Sequence, residues 1–84
     1  MDCVVELVEK FGAKNTFVFE LLEAHQYLYR AKHKVDDSHK QDIEEAINCF
    51  KIAVDLRADY PELLGYKNGL FKYIKKEVMK YVKE

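Results

Sequence analysis

This sequence predicts an all-α fold, a small antiparallel three- to four-helix bundle, and three observations carry the prediction. The 84 residues include one proline and three glycines, too few turn formers for a sandwich or barrel of short strands. Apolar residues recur at steps of three and four in four separate stretches, the period of a helix with one buried face. Each stretch is bounded by residues that cap or stop helices. With 49% hydrophobic and 35% charged residues, the chain is composed like one globular domain, 1–84, near the lower size at which a core suffices.

The first helix is expected at about residues 3–11, with Val4, Leu7, Val8 and Phe11 on one face. Asp2 reads as its cap and Gly12 as its terminator. The second, about 16–35, opens after a capping Asn15 or Thr16 and runs Phe17, Leu21, Ala24, Leu28, Ala31 and Val35 along one stripe. Phe19, Leu22 and Tyr29 widen that stripe, which predicts neighbours on two sides of the helix.

Ser38-His39-Lys40-Gln41 reads as a capping box opening the third helix, about 39–58, and Asp42, Glu44 and Glu45 suit the positive end of its dipole. Its core stripe is Ile43, Ala46, Ile47, Phe50, Ala53, Val54 and Leu56. Pro61, flanked by Asp59 and Glu62, is expected in the first turn of the last helix, about 61–83. Leu63, Tyr66, Leu70, Ile74 or Tyr73, Val78 and Tyr81 would face inward there. Gly65 and Gly69, four apart, read as a close helix contact. Short connections between the long helices predict antiparallel neighbours.

Charge and cysteine usage narrow the classes of function. The formal net charge is −1, so no molecule-wide field draws the chain to nucleic acid or acidic lipid. Cys3 and Cys49 form no CxxC pair, which suggests a reducing compartment and two small buried hydrophobes. Met1 to Glu6 carries acid where a secretory leader carries base, and no apolar run approaches a membrane span. A soluble, cytoplasmic (intracellular) protein is the expectation.

The segment from Glu44 to Ala53, Glu44-Glu45-Ala46-Ile47-Asn48-Cys49-Phe50-Lys51-Ile52-Ala53, resembles the second helix of a tetratricopeptide repeat. It is equally similar to a helix of the microtubule-interacting and trafficking domain. Ala46, Phe50 and Ala53 match the small–aromatic–small pattern of both, and Leu56 continues it. The aromatic, Leu-Gly and Tyr signature of a tetratricopeptide first helix is not reproduced by Tyr27 to Lys34, and Pro61 falls late for that repeat. The three-helix trafficking domain suits the length and the last helix better. The resemblance implies a helical hairpin that docks a partner helix.

Catalytic and metal motifs are missing from the linear sequence. There is no HExxH, no G-x-S-x-G and no phosphate-binding glycine loop, so no cofactor, catalytic or metal residue is expected. His33 and His39 flank Asp36 and Asp37 in what reads as a solvated, acid-capped loop. Arg30 and His33 are similar to the Arg and His pair of small helical nucleases of the HEPN type, but only Ala31 and Lys32 separate them, closer than in that motif. A HEPN-like helper of a nucleotidyltransferase or nuclease is what that likeness implies. Residues 36–62 hold eight acids and three bases, and residues 63–84 six lysines and two glutamates.

The expected function is therefore a non-enzymatic protein-interaction or self-association module, working on another protein or its own copy as a homodimer. Tyr27, Tyr29, Tyr66 and Tyr73 are the expected anchors, since tyrosine is frequent at interface hot spots. The alternative is a nucleic-acid-associated bundle using Lys72, Lys76 and Lys80 on the basic last helix.

Overall fold

The computed structural model describes residues 2–33 and 39–82. It is an all-α bundle of α1 (Asp2–Phe11), α2 (Ala13–Lys32), α3 (His39–Asp59), a 3-10 turn at Pro61–Leu63, and α4 (Asn68–Met79). No strand occurs among the described residues. Val35, Asp36, Asp37, Ser38 with its expected capping role, and Lys83 lie outside them.

α2 and α3 form the central hairpin. Their antiparallel register can be read from side-chain contacts. Glu23 meets Cys49, and seven residues further along α2 Arg30 meets Asp42, seven residues back along α3. The stripe Phe17, Leu21, Ala24, Leu28 and Ala31 is buried as expected, facing Ala46, Phe50, Ala53 and Leu56. Ala24, Ala46 and Ala53 have no exposed surface, and side chains this small let the two helices approach closely. Val54 is the exception on α3 and faces solvent.

The α1–α2 junction differs from expectation. α2 starts at Ala13, and Gly12 alone separates it from α1. Gly12 takes φ 91° and ψ 158°, a combination open essentially only to glycine. Its N–H donates to Val8 O at 2.9 Å, and its carbonyl accepts from Thr16 N at 3.1 Å. Asn15 and Thr16 are not caps. Asn15 Nδ2 donates to Phe11 O and Thr16 Oγ1 to Gly12 O, satisfying carbonyls at the end of α1. Asp2 belongs to α1 itself, and Phe11, expected inside, is exposed.

The last helix is also shorter than expected. Pro61 opens a 3-10 turn that delivers Leu63, fully buried, into the core. Gly65 at φ 81° and Lys67 at φ 50° then turn the chain before α4 begins at Asn68. This break rotates the helix face. Phe71, Ile74 and Val78 are the buried residues of α4, while Tyr73 and Tyr81 point out. Phe71, not expected in the core, is its aromatic hub. It stacks on Phe17 at 5.9 Å and 18° and tilts against Phe50 at 5.3 Å, with the Arg57 guanidinium 4.2 Å from its ring centre. The two glycines make no tight contact. Gly65 lies in the turn, and a Cβ at Gly69 would meet nothing within 4 Å.

Candidate functional site

Two features stand out once the core is assigned. The first is the outward face of α2. Phe19, Leu22 and Tyr29 are 47, 51 and 59% exposed, so none of the described helices covers this side of α2. Their spacing, with Asn15, Gln26 and His33, is the 4-3-4-3-4 alternation of a two-helix seam. At the N-terminal end the stripe opens into an apolar cavity of about 310 Å³, lined by Leu7, Phe11, Asn15, Thr16 and Phe19. The exposed Phe11 ring forms part of its wall because Gly12 folds α1 beside the start of α2. At the other end Tyr29 packs on His33, ring centres 4.4 Å apart.

The second feature lies between α2 and α3. Glu20 and Glu23, one turn apart on α2, converge with Cys49 of α3, and their ligand atoms lie within 4.8 Å of one another. Cys49 Sγ donates to Glu23 Oε1 at 3.8 Å. Glu20 is only 5% exposed. Burial, then the neighbouring Glu23 charge, pushes its pKa above the usual carboxylate range. Burial and the charges of Glu20, Glu23 and Glu45 push the Cys49 thiol up to about 12. Tyr27, at the next level of the hairpin, has its pKa raised by desolvation and by Glu23 and Glu45. Cys49 is buried as expected, whereas Cys3 is exposed.

The four tyrosines separate into two pairs. Tyr29 and Tyr73 are exposed, and Tyr73 packs on His25 of α2 at 5.8 Å. Tyr27 and Tyr66 are not free anchors. Both are half-buried against the core, Tyr27 under Arg30 and Tyr66 under Lys14 and Lys67. Lys72 and Lys76 are exposed along α4 and Lys80 just past its end, but Lys80 Nζ is 3.2 Å from Glu77, which interrupts the basic face there. Arg30 and His33 contact different neighbours. Arg30 reaches Asp42 at 3.9 Å, and His33 is committed to Tyr29.

Sequence reading singled out Phe19, Leu22 and Tyr29 as apolar and expected a neighbouring helix over them, with Tyr29 also named as an interface anchor; exposure depends on how many helices the chain supplies. It missed the Glu20, Glu23 and Cys49 cluster because its third member sits 26 residues away, across the hairpin. The i, i+3 spacing of the two glutamates was the only visible signal. No helix among the described residues is long and apolar enough to cross a membrane. Comparison with protein-family models, with curated proteins and with solved structures finds no match for this chain.

Proposed function

We propose that this chain is a non-enzymatic self-association module whose outward α2 face pairs antiparallel with the same face of a second copy. The observation that carries the reading is the exposed seam of Phe19, Leu22 and Tyr29, continuous with the cavity beside Phe11. An antiparallel pair matches this seam to itself. In that register Phe19 meets Tyr29 of the second copy and Leu22 meets its Gln26, so each layer joins a large apolar group to a group that tolerates burial of its stem. The Tyr29 ring then has the Phe11–Phe19 cavity as its receptor, twice over, as an isologous two-fold interface requires. A chain of 84 residues has little core of its own and gains stability by covering such a face.

Leu22→Arg is the direct test, because Leu22 is half-exposed and its replacement leaves the core untouched. Analytical ultracentrifugation of the wild type should give a dimer, and of Leu22→Arg a monomer with unchanged helical circular dichroism. A wild-type chain that sediments as a monomer at every accessible concentration sinks the proposal.

A further inference from the structure

We propose that the groove between α1 and α3 docks a short basic amphipathic helix of another protein. α1 packs on α2 and does not close against α3. That leaves an apolar trough with the buried Val4 and Leu56 at its floor and Val5, Val8, Ile52 and Tyr60 along its walls. Val5 is 56% exposed, so the trough grades from the core out to solvent. Its volume is about 210 Å³, below the ~300–1,000 Å³ of small-molecule sites, so it takes the side chains of a docked segment rather than a whole metabolite. Along α3 it runs from Ile52 to Tyr60, about 12 Å at ~1.5 Å per residue, the length of two helical turns. The described residues offer no strand edge, so the occupant is a helix, laid in with apolar anchors at i, i+3 or i+4 and i+7.

The charge of the rim selects the partner. Glu9 on α1 and Asp55 and Asp59 on α3 line the same groove, all three are exposed, and none of the described residues lining it is basic. Among the described residues no ion pair neutralises them. Lys10 is engaged by Glu6, Arg57 lies over the Phe71 ring, and Lys51, one turn before Asp55, does not pair with it. The local structure does not call for these acids either. Asp55 and Asp59 occupy the last turns of α3, at the negative end of the helix dipole where acids are disfavoured, and one turn apart they repel each other. Lysines or arginines flanking the apolar face of a docked helix would meet the acids on both walls, and their stems would cover Val5 and Ile52. The groove shares no lining residue with the cavity beside Phe11, so docking here is independent of pairing through the α2 seam.

The test uses the intact chain and a fluorescein-labelled amphipathic helical peptide built only of leucine and lysine, with fluorescence anisotropy as the readout. A second peptide carries glutamate in place of every lysine. The lysine peptide should bind and weaken as salt rises, and the glutamate peptide should bind at least about tenfold less tightly. Asp55→Lys should cost the lysine peptide at least about tenfold, while the same charge change at Glu44, exposed at the other end of α3, should cost little. Val5→Ser should weaken binding about threefold at every salt concentration, and Leu22→Ser on the α2 seam should leave it unchanged. The substituted side chains are all exposed, so each variant should keep the helical circular dichroism of the parent. Equal affinity for the two peptides overturns the proposal, as does undiminished binding by Asp55→Lys. An equal loss in Glu44→Lys reduces the attraction to net charge, and a loss in Leu22→Ser moves the peptide to the seam; either result also overturns it. A wild-type dimer that Asp55→Lys no longer forms would give the groove to a second copy and overturn the assignment to a basic partner.

Discussion

The two thiols of this chain, Cys3 and Cys49, occupy opposite surroundings, one exposed and one buried among acids. The thiolate is the reactive form of cysteine, and the Cys49 thiol, pushed up to about 12, is neutral at physiological pH. At about pH 8 a thiol reagent should label Cys3 at once, and Cys49 only as fast as the hairpin opens; two equally fast thiols, followed by absorbance, would contradict this burial. The same group imposes a pH dependence on stability. Its pKa is higher folded than unfolded, so its contribution is complete below the ordinary value of 9.0 and is lost as pH climbs toward 12. Denaturant titrations should show wild type losing stability relative to Cys49→Ser across that range. Burial of the thiol is the main cause, and Glu20, Glu23 and Glu45 add negative charge around it from both helices. Glu20 behaves alike at lower pH, favouring the fold while protonated and losing that contribution as pH rises through its raised pKa.

Among the elements, the two glycines at helix starts make opposite demands. Gly12 adopts a backbone conformation that L side chains avoid, although a Cβ there would meet open space. Gly12→Ala should therefore cost about 1–3 kcal/mol from backbone strain alone. Gly69, in the first turn of α4, has neither a positive φ nor a near neighbour. Gly69→Ala should stabilise by about 0.5–1 kcal/mol, because alanine is the better helix former and restricts the unfolded chain. Chemical denaturation of both variants checks the pair, and equal shifts in one direction would contradict the assignment. These junctions also mark how far the sequence was legible. The α2 stripe from Phe17 to Ala31 and the Ala46, Phe50, Ala53 trio follow from periodicity, since long amphipathic helices repeat their pattern many times. The turn at Gly65 and Lys67 did not, because Leu63, Tyr66 and Leu70 also fit one unbroken helix. Missing that turn put Tyr81, and Tyr73 as the alternative to Ile74, on the inner face and left Phe71 out of it. Of the candidate sites, the α2 seam was visible as apolar residues, but the acid–thiol cluster depends on a cross-hairpin register that no local pattern encodes.

At the scale of the whole molecule, Phe71 joins the three long helices, meeting Phe17 of α2 and Phe50 of α3 from its place on α4. Truncation there opens a cavity where all three converge. Phe71→Ala should cost about 3–5 kcal/mol, a large fraction of what a domain of this size possesses. A thermal melt within a degree or two of wild type would show that α4 is dispensable to the core. The acidic α3 and lysine-rich α4 balance within one compact body, with a Cα radius of gyration of 13.0 Å, which leaves the apolar α2 seam as the surface most in need of a cover.

The back-and-forth matching of α2 with α3 also bears on how quickly the chain finds its shape. Partners such as Glu23 and Cys49 lie 26 residues apart, and the separation shrinks steadily towards the turn, so the hairpin can zip from its closed end with little loop-closure entropy at each step. Phe71 must wait for a surface that this hairpin creates. Stopped-flow measurement of Phe71→Ala should accordingly reveal a faster unfolding limb and a folding limb close to that of the parent, which would make the hairpin the nucleus and α4 the latch closed last.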